Sequence, residues 1–242
     1  MNKLVEKRET ERQVASTPPP ITPAVYQAEL ERFRQAAIRN TKPNLMGQVL
    51  RFRKGEWLFG SEKQKIEAGT RFVAIMNEVR HGWLKWNEDK TASHIVGKIV
   101  EGFKPPPRDS LDCCDESEWK IGLNGKKEDP WKEVVYLPLV SMGGEQLLTF
   151  STTTKTGAPA FWKLIDRHAW LGRKHPGQYP IVEIQSTGYE DKRYGWIDTP
   201  AFKIVGWAGR PDLQQLSGRN GDGDDAAEAA DQHDDMDDEV PF

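Results

Sequence analysis

Three segments of the chain place aromatic side chains beside lysine and arginine, with glycine close by: residues 51–57, 80–86 and 189–196. Cations of this kind contact phosphates, while aromatic faces stack on unpaired bases and contribute about 1–3 kcal/mol per base. Glycine next to an aromatic residue favours the tip of a hairpin. With Lys155 added from a basic turn before a predicted helix, the candidate nucleic-acid-binding residues are Arg51, Arg53, Lys54, Trp57, Arg80, Trp83, Lys85, Trp86, Lys155, Lys192, Arg193, Tyr194 and Trp196.

The chain has nine tryptophans, and not all of them fit this pattern. Trp83 and Trp86 are three positions apart, so both cannot face one side of an ideal strand, and we expect at least one in a turn or bulge. The remaining tryptophans lie in apolar or mixed runs, where core packing is the usual role. We therefore expect burial for Trp119, Trp131, Trp162, Trp170 and Trp207.

Sequence patterns typical of enzymes are sparse. The phosphate-binding loop, dinucleotide, zinc-protease and serine-hydrolase motifs are absent. An acidic stretch contains Asp109, Asp112, Asp115, Glu116 and Glu118, which could serve a metal-dependent nuclease. Metal-binding carboxylates normally come from separate elements, so we favour a solvated loop. We predict a protein that is not an enzyme and that needs no cofactor or metal.

The charge is distributed unevenly along the chain. The net charge is −3, yet residues 221–242 hold ten acids and no lysine or arginine. Residues 1–220 therefore carry 34 basic against 27 acidic side chains, a formal charge of +7. A basic body with an acidic tail is common among proteins that bind nucleic acid.

The elements that must position these residues are mainly β-strands. Residues 44–208 contain seven or eight β-prone runs, and a Lys54-Gly55 turn is predicted between the first two. Phe161, Leu164, Ile165 and His168 repeat at helical spacing and predict one internal helix. The pattern favours a mainly β fold, an elaborated OB-fold-like barrel, with a β-sandwich as the alternative.

The two ends of the chain have a different composition. Residues 1–43 predict a charged arm, rich in proline at its end, followed by an N-terminal helix that docks on the main domain or binds a partner. Residues 209–242 predict a disordered acidic tail. No membrane span and no secretory signal peptide is expected, and the adjacent Cys113 and Cys114 are expected to be reduced thiols in a cytoplasm.

The tail finishes on apolar residues that it cannot bury by itself. Its last six residues are Asp237, Asp238, Glu239, Val240, Pro241 and Phe242. This motif resembles the acidic C-terminal tip of bacterial single-stranded DNA-binding proteins, and phage single-stranded DNA-binding proteins follow a similar plan. The resemblance implies that Phe242 enters an apolar pocket on replication, recombination or repair enzymes, where its carboxylate meets a basic residue. It covers the tail alone, so no base-stacking residue is transferred from it.

Together these features predict a single-stranded DNA-binding protein of phage or bacterial type. It would sheathe single strands with little sequence specificity in the cytoplasm of a bacterial host, at the nucleoid, with homo-oligomerisation possible. The alternative is an adaptor that binds or inhibits a host helicase or nuclease through the tip, without binding DNA. A nuclease that uses the acids of residues 109–118 is the third hypothesis.

Overall fold

The structure, a computed structural model, describes residues 45–87, 91–122 and 125–211. The predicted N-terminal helix and the predicted acidic tail lie outside these residues. The described part holds ten strands and one α-helix. They are β1 (Gln48–Arg53), β2 (Glu56–Phe59), β3 (Gln64–Ile66), β4 (Arg71–Ala74), β5 (Arg80–Trp86), β6 (Ala92–Lys98), β7 (Trp131–Ser141), β8 (Leu147–Thr152), α1 (Gly157–Leu171), β9 (Tyr179–Asp191) and β10 (Gly195–Ala208). Short 3-10 turns lie at Met76–Glu78, Ile99–Glu101, Arg108–Ser110, Glu116–Glu118 and Gly172–Lys174.

All ten strands belong to one branched sheet. Its main path runs β10-β9-β4-β7-β8-β1-β2-β3, and β5 joins it by pairing with β7 and carries β6. The β1–β8 pair is parallel and the other pairs are antiparallel. The predicted mainly β class is confirmed, and so is the helix predicted between the strands. A β-sandwich would need two separate sheets, whereas the described strands form one.

The branch point is the long strand β7. One edge of β7 pairs with β5 through residues 131–136 and with β4 through residues 139–141. Pro138, which has no N–H to donate, lies between these two stretches, and its carbonyl accepts a hydrogen bond from Ile75 N at 2.9 Å. The sheet can therefore divide at this point without leaving a backbone donor unpaired.

The inner face of the sheet encloses the main hydrophobic core. The rings of Trp57 of β2, Phe150 of β8 and Phe202 of β10 pack together with centroids 5.1 to 5.6 Å apart, and Phe202 contacts the other two edge to face. Phe161 and Leu164 of α1 complete this core and are buried. The two ends of the sheet thus face one another across the core, although no hydrogen-bonded pairing between described strands closes the sheet into a barrel.

The turn between β1 and β2 has the predicted form. Lys54 and Gly55 both adopt positive φ, 50° and 80°, and Phe52 pairs with Trp57 across the hairpin. Two consecutive residues with positive φ match the right-handed twist of the flanking strands, and glycine adopts this conformation without strain. The predicted Lys-Gly turn is confirmed.

Strands β9 and β10 form a hairpin that extends beyond the rest of the sheet. Strand β4 pairs with residues 181–183 of β9, and Ile184 bonds with the backbone of Gly69 and Thr70. Past Ile184, the described pairings of β9 involve β10 alone. We call residues 185–200 the β-arm.

Among the described residues, no helix is both long and apolar enough to cross a bilayer.

Candidate nucleic-acid interface

The β1–β2 turn and the β-arm meet at one carboxylate. A Cβ built on Gly55 would lie 2.9 Å from Asp198 Oδ2, so a side chain at this position would displace the carboxylate. The other oxygen, Asp198 Oδ1, accepts a hydrogen bond from Trp196 Nε1 at 3.0 Å. Asp198 therefore joins two of the three aromatic and basic segments that are far apart in sequence.

Trp196 presents an open aromatic surface on the β-arm. Its side chain is 61% exposed, which is rare for an indole. One face of the ring lies on Gly188, where a Cβ would come within 2.7 Å of Trp196 Cε2. Glycine thus leaves room for the ring against the backbone, and the hydrogen bond to Asp198 restrains its orientation. The opposite face is available for stacking.

The tip of the β-arm carries two exposed cations. Asp191 Oδ1 accepts from the backbone N–H groups of Arg193 at 2.8 Å and Tyr194 at 3.0 Å, which shapes the turn. Lys192 and Arg193 are exposed, and the guanidinium of Arg193 lies 5.3 Å from the Tyr194 ring centroid. The Tyr194 hydroxyl is buried without a hydrogen-bond partner among the described residues. The tip consequently offers charge, while the tyrosine ring is partly covered.

Lys155 and Lys54 both follow strands that end on the same side of the sheet. Strands β1 and β8 are parallel neighbours, so their C-terminal ends lie side by side, and both lysines are exposed there. The loop before α1 is held by hydroxyl contacts, with Thr152 Oγ1 2.9 Å from Thr154 Oγ1. Thr154 Oγ1 also accepts from Gly157 N at 3.0 Å, which satisfies a donor of the first helical turn.

The arginines of β1 lie on the other side of the sheet. Arg51 and Arg53 alternate with the core residues Leu50 and Phe52 and so face outward. Strand pairing continues this face across the sheet through Ser151 and Tyr136, which are both buried, to Arg80 and Lys98. At about 4.8 Å per strand, Arg51 and Arg80 are about 14 Å apart. These cations form an outer row that is separate from the Trp196 surface.

Trp57 is a core residue. It is 1% exposed and is surrounded by the rings of Phe52, Phe150 and Phe202. Because its ring has no free face, we leave Trp57 out of the interface. Its neighbour in sequence, Lys54, remains exposed at the turn.

Side chains of segment 80–86 contact residues of the loop between β6 and β7. Trp83 Nε1 donates to Pro106 O at 2.9 Å, and Lys85 Nζ pairs with Asp112 Oδ2 at 2.5 Å. Lys85 also lies 5.1 Å from the Trp131 ring centroid.

Both tryptophans of this segment belong to strand β5, so the expectation of a turn or bulge there is wrong. They face opposite sides, as the three-residue spacing requires. Trp83 packs with Ile95 and Leu111, whereas Trp86 packs with Leu84 and Val96. Residues 80–86 therefore do not form one continuous binding surface.

Asp112 ties the acidic stretch to the sheet. Its carboxylate accepts from Lys85 and from Trp131 Nε1, the latter at 2.6 Å. These hydrogen bonds, from Lys85 above all, hold the pKa of Asp112 below its ordinary value. Among residues 45–87, 91–122 and 125–211, no group of three or more His, Cys, Asp or Glu side chains could hold a metal ion.

Two exposed aromatic residues were missed as candidates. Trp170 is 65% exposed at the end of α1, so the prediction that it packs in the core is wrong. Tyr189 of the β-arm is 46% exposed. Trp131 is buried as predicted, while Trp119, Trp162 and Trp207 are half-buried. The signal for Trp170 was present in the sequence, because it lies at helical spacing from Lys163, Arg167 and Lys174 rather than from the apolar residues of the helix.

No family model matches the chain, no curated protein matches it, and no solved structure matches it.

Proposed function

We propose that this protein binds single-stranded DNA and is not an enzyme. The binding site is the arm surface, which we define as Lys54, Lys155, Lys192, Arg193 and Trp196. The observation that carries the proposal is the geometry of Trp196. Its indole is fixed on one face by Gly188 and at its N–H by Asp198, and it is open on the other face.

Such a surface suits single strands better than duplexes. An open indole can stack on an unpaired base and contributes about 1–3 kcal/mol, whereas the bases of a duplex are already stacked on one another. The surrounding cations would contact phosphates, which carry no sequence information. Binding of this type tolerates any sequence and weakens steeply with salt.

The finer architecture and the tail belong to the same proposal. We propose an elaborated OB-fold-like barrel, because the inner face of the sheet encloses one core and its ends face one another. Residues 237–242 would recruit replication, recombination or repair enzymes in a bacterial cytoplasm, since an acidic peptide ending in Val-Pro-Phe can be anchored by its apolar tip.

An adaptor without DNA affinity is the second candidate. Two acids lie beside the open indole: Asp198, and Glu190, which pairs directly with Trp196 across the β-arm. These charges repel phosphate. An adaptor would act through residues 237–242 alone, so binding of DNA by the rest of the chain separates the two candidates.

The proposal predicts that Trp196→Ala weakens binding of oligo-dT by about 5- to 150-fold, because one stacked base is lost. The affinity is measured by titration at low salt, with the thermal unfolding midpoint as a check of the fold. Trp196 is exposed, so the variant should unfold close to the temperature of the parent protein.

Two further variants on the same hairpin complete the test, one as a control and one with the opposite expected effect. Val205→Ala removes another exposed apolar side chain and should leave the affinity unchanged. Glu190→Gln removes the acid opposite Trp196 and should tighten binding, since it lowers repulsion of phosphate. The same affinity for the parent protein and for Trp196→Ala would contradict the assignment of the arm surface.

A further inference from the structure

Helix α1 carries a basic stripe along its solvent face. Lys163, Arg167, Trp170 and Lys174 follow one another at spacings of four, three and four, which places them on one side of a helix that continues into the turn at Gly172–Lys174. All four side chains are exposed. We call these residues the α1 stripe. Asp166 is the only acid of the helix.

The exposed indole of Trp170 has no structural explanation in the helix itself. Cations near a helix C-terminus are favourable, because they face the negative end of the helix dipole, and this accounts for Arg173 and Lys174. It does not account for an indole that is 65% exposed, with Lys174 Nζ 6.0 Å from its ring centroid. Aromatic rings beside cations form the platforms on which single strands stack.

The position of the helix connects the stripe to the arm surface. Helix α1 begins two residues after Lys155, and its 15 residues extend about 22 Å. The far end is fixed to strand β10, because His175 stacks on Trp207 with ring centroids 4.4 Å apart and an interplanar angle of 12°. The ring of His168 lies 5.8 Å from the same indole. The C-terminal half of the helix, which carries Arg167 and Trp170, is thus held against β10.

We propose that the α1 stripe is a second contact track for single-stranded nucleic acid, continuous with the arm surface at Lys155. This inference rests on the proposed function, and it adds the direction in which the strand leaves the arm surface. The stripe spans about 16 Å along the helix axis, because Lys174 lies 11 residues after Lys163. The track therefore lengthens the binding site by several nucleotides.

The test compares a short and a long oligomer. The probes are oligo-dT of about 6 nucleotides, near the lower end of the range of about 4–16 nucleotides bound per OB-fold, and of about 20 nucleotides, above that range. Trp170→Ala should weaken binding of the long oligomer by about 5- to 150-fold. The affinity for the short oligomer should stay the same, because the short oligomer contacts the arm surface alone. Arg167→Gln should lower the slope of log affinity against log salt by about 0.7 with the long oligomer.

Matched variants separate the track from general effects of charge and exposure. Ile121→Ala removes a side chain that is 71% exposed elsewhere on the surface, and Lys104→Gln removes an exposed lysine from the loop after β6. Both should bind the long oligomer as the parent protein does. Trp170→Phe keeps an aromatic ring and should restore most of the affinity lost in Trp170→Ala.

The possible results distinguish this inference from the proposed function. Equal affinity of the parent protein and Trp170→Ala for the long oligomer, with Trp196→Ala still defective, would overturn the track and leave the arm surface standing. An equal loss with both lengths would also overturn it, because Trp170 would then belong to the short site. Failure of the parent protein to bind either oligomer would refute the proposed function itself.

Discussion

Residues of one type have opposite roles in this protein, and their neighbours decide which. Trp57 and Trp196 each lie near the tip of a hairpin and beside basic residues. Trp57 is opposite Phe52 on the core side of its strand and is buried, whereas Trp196 lies on Gly188 in the β-arm and is exposed. A tryptophan next to lysine and arginine is therefore not by itself a binding residue.

The pairing of Asp112 gives a prediction about pH. Because Lys85 and Trp131 lower the pKa of the folded carboxyl, the stabilisation is fully present above the ordinary pKa near 4 and is lost as the pH falls through the lowered value. Asp112→Asn should lower the unfolding midpoint at pH 7. The effect should be below about 1 kcal/mol, since the carboxylate is 60% exposed. The measurement is thermal unfolding of both proteins from pH 7 to pH 3.

The difference in unfolding midpoint between the parent protein and Asp112→Asn should shrink towards zero as the pH approaches 3. Asp109→Asn is the control, because the Asp109 carboxylate is in the same loop and forms no ion pair or hydrogen bond with any other described residue. A difference between the parent protein and Asp112→Asn that stays constant with pH would show that the carboxylate charge is not what stabilises this loop.

Secondary structure was predictable to the extent that it depends on local pattern. The Lys54-Gly55 turn and helix α1 were both predicted, since glycine at a turn and apolar residues at helical spacing act over a few positions. The burial of Trp57 could also have been predicted from the sequence pattern, because Leu50, Phe52 and Trp57 share one face across a two-residue turn. Three other features depend on tertiary packing, which no local spacing encodes. They are the branch of the sheet at Pro138, the contact of Gly55 with Asp198, and the coverage of Trp83 by residues 103–131.

The β1–β2 turn gives a prediction at the level of the element. Gly55→Ala should destabilise the protein by about 1–3 kcal/mol, because a Cβ there is strained at φ 80° and would also displace Asp198. The measurement is the denaturant midpoint.

Gly144→Ala separates the two causes. Its φ is 70°, yet a Cβ would meet no atom within 4 Å, so it reports backbone strain alone. We expect Gly55→Ala to lose more stability than Gly144→Ala, and to weaken oligo-dT binding as Asp198 and Trp196 move. Equal losses of stability in the two variants would show that displacing Asp198 adds nothing to the free energy lost through backbone strain.

At the scale of the whole molecule, charge is separated along the chain. The arm surface, the α1 stripe and the outer row each carry cations of the described part, and residues 1–220 carry a formal charge of +7. The ten acids of residues 221–242 can compete with phosphate for the same cations, because both are polyanions. On this account, removal of residues 221–242 tightens DNA binding.

The central claim is that the body of the protein binds single-stranded DNA. The most direct test is titration with oligo-dT at two salt concentrations, with tryptophan fluorescence as the readout, for the full chain and for the chain without residues 221–242. We predict strong quenching, tighter binding by the shorter chain and, with an oligomer of about 6 nucleotides, a salt slope of about 3 in log units, as expected for phosphate contacts by the four cations of the arm surface. Absence of binding at low salt by both forms would contradict the claim and would leave the tip at residues 237–242 as the basis of an adaptor.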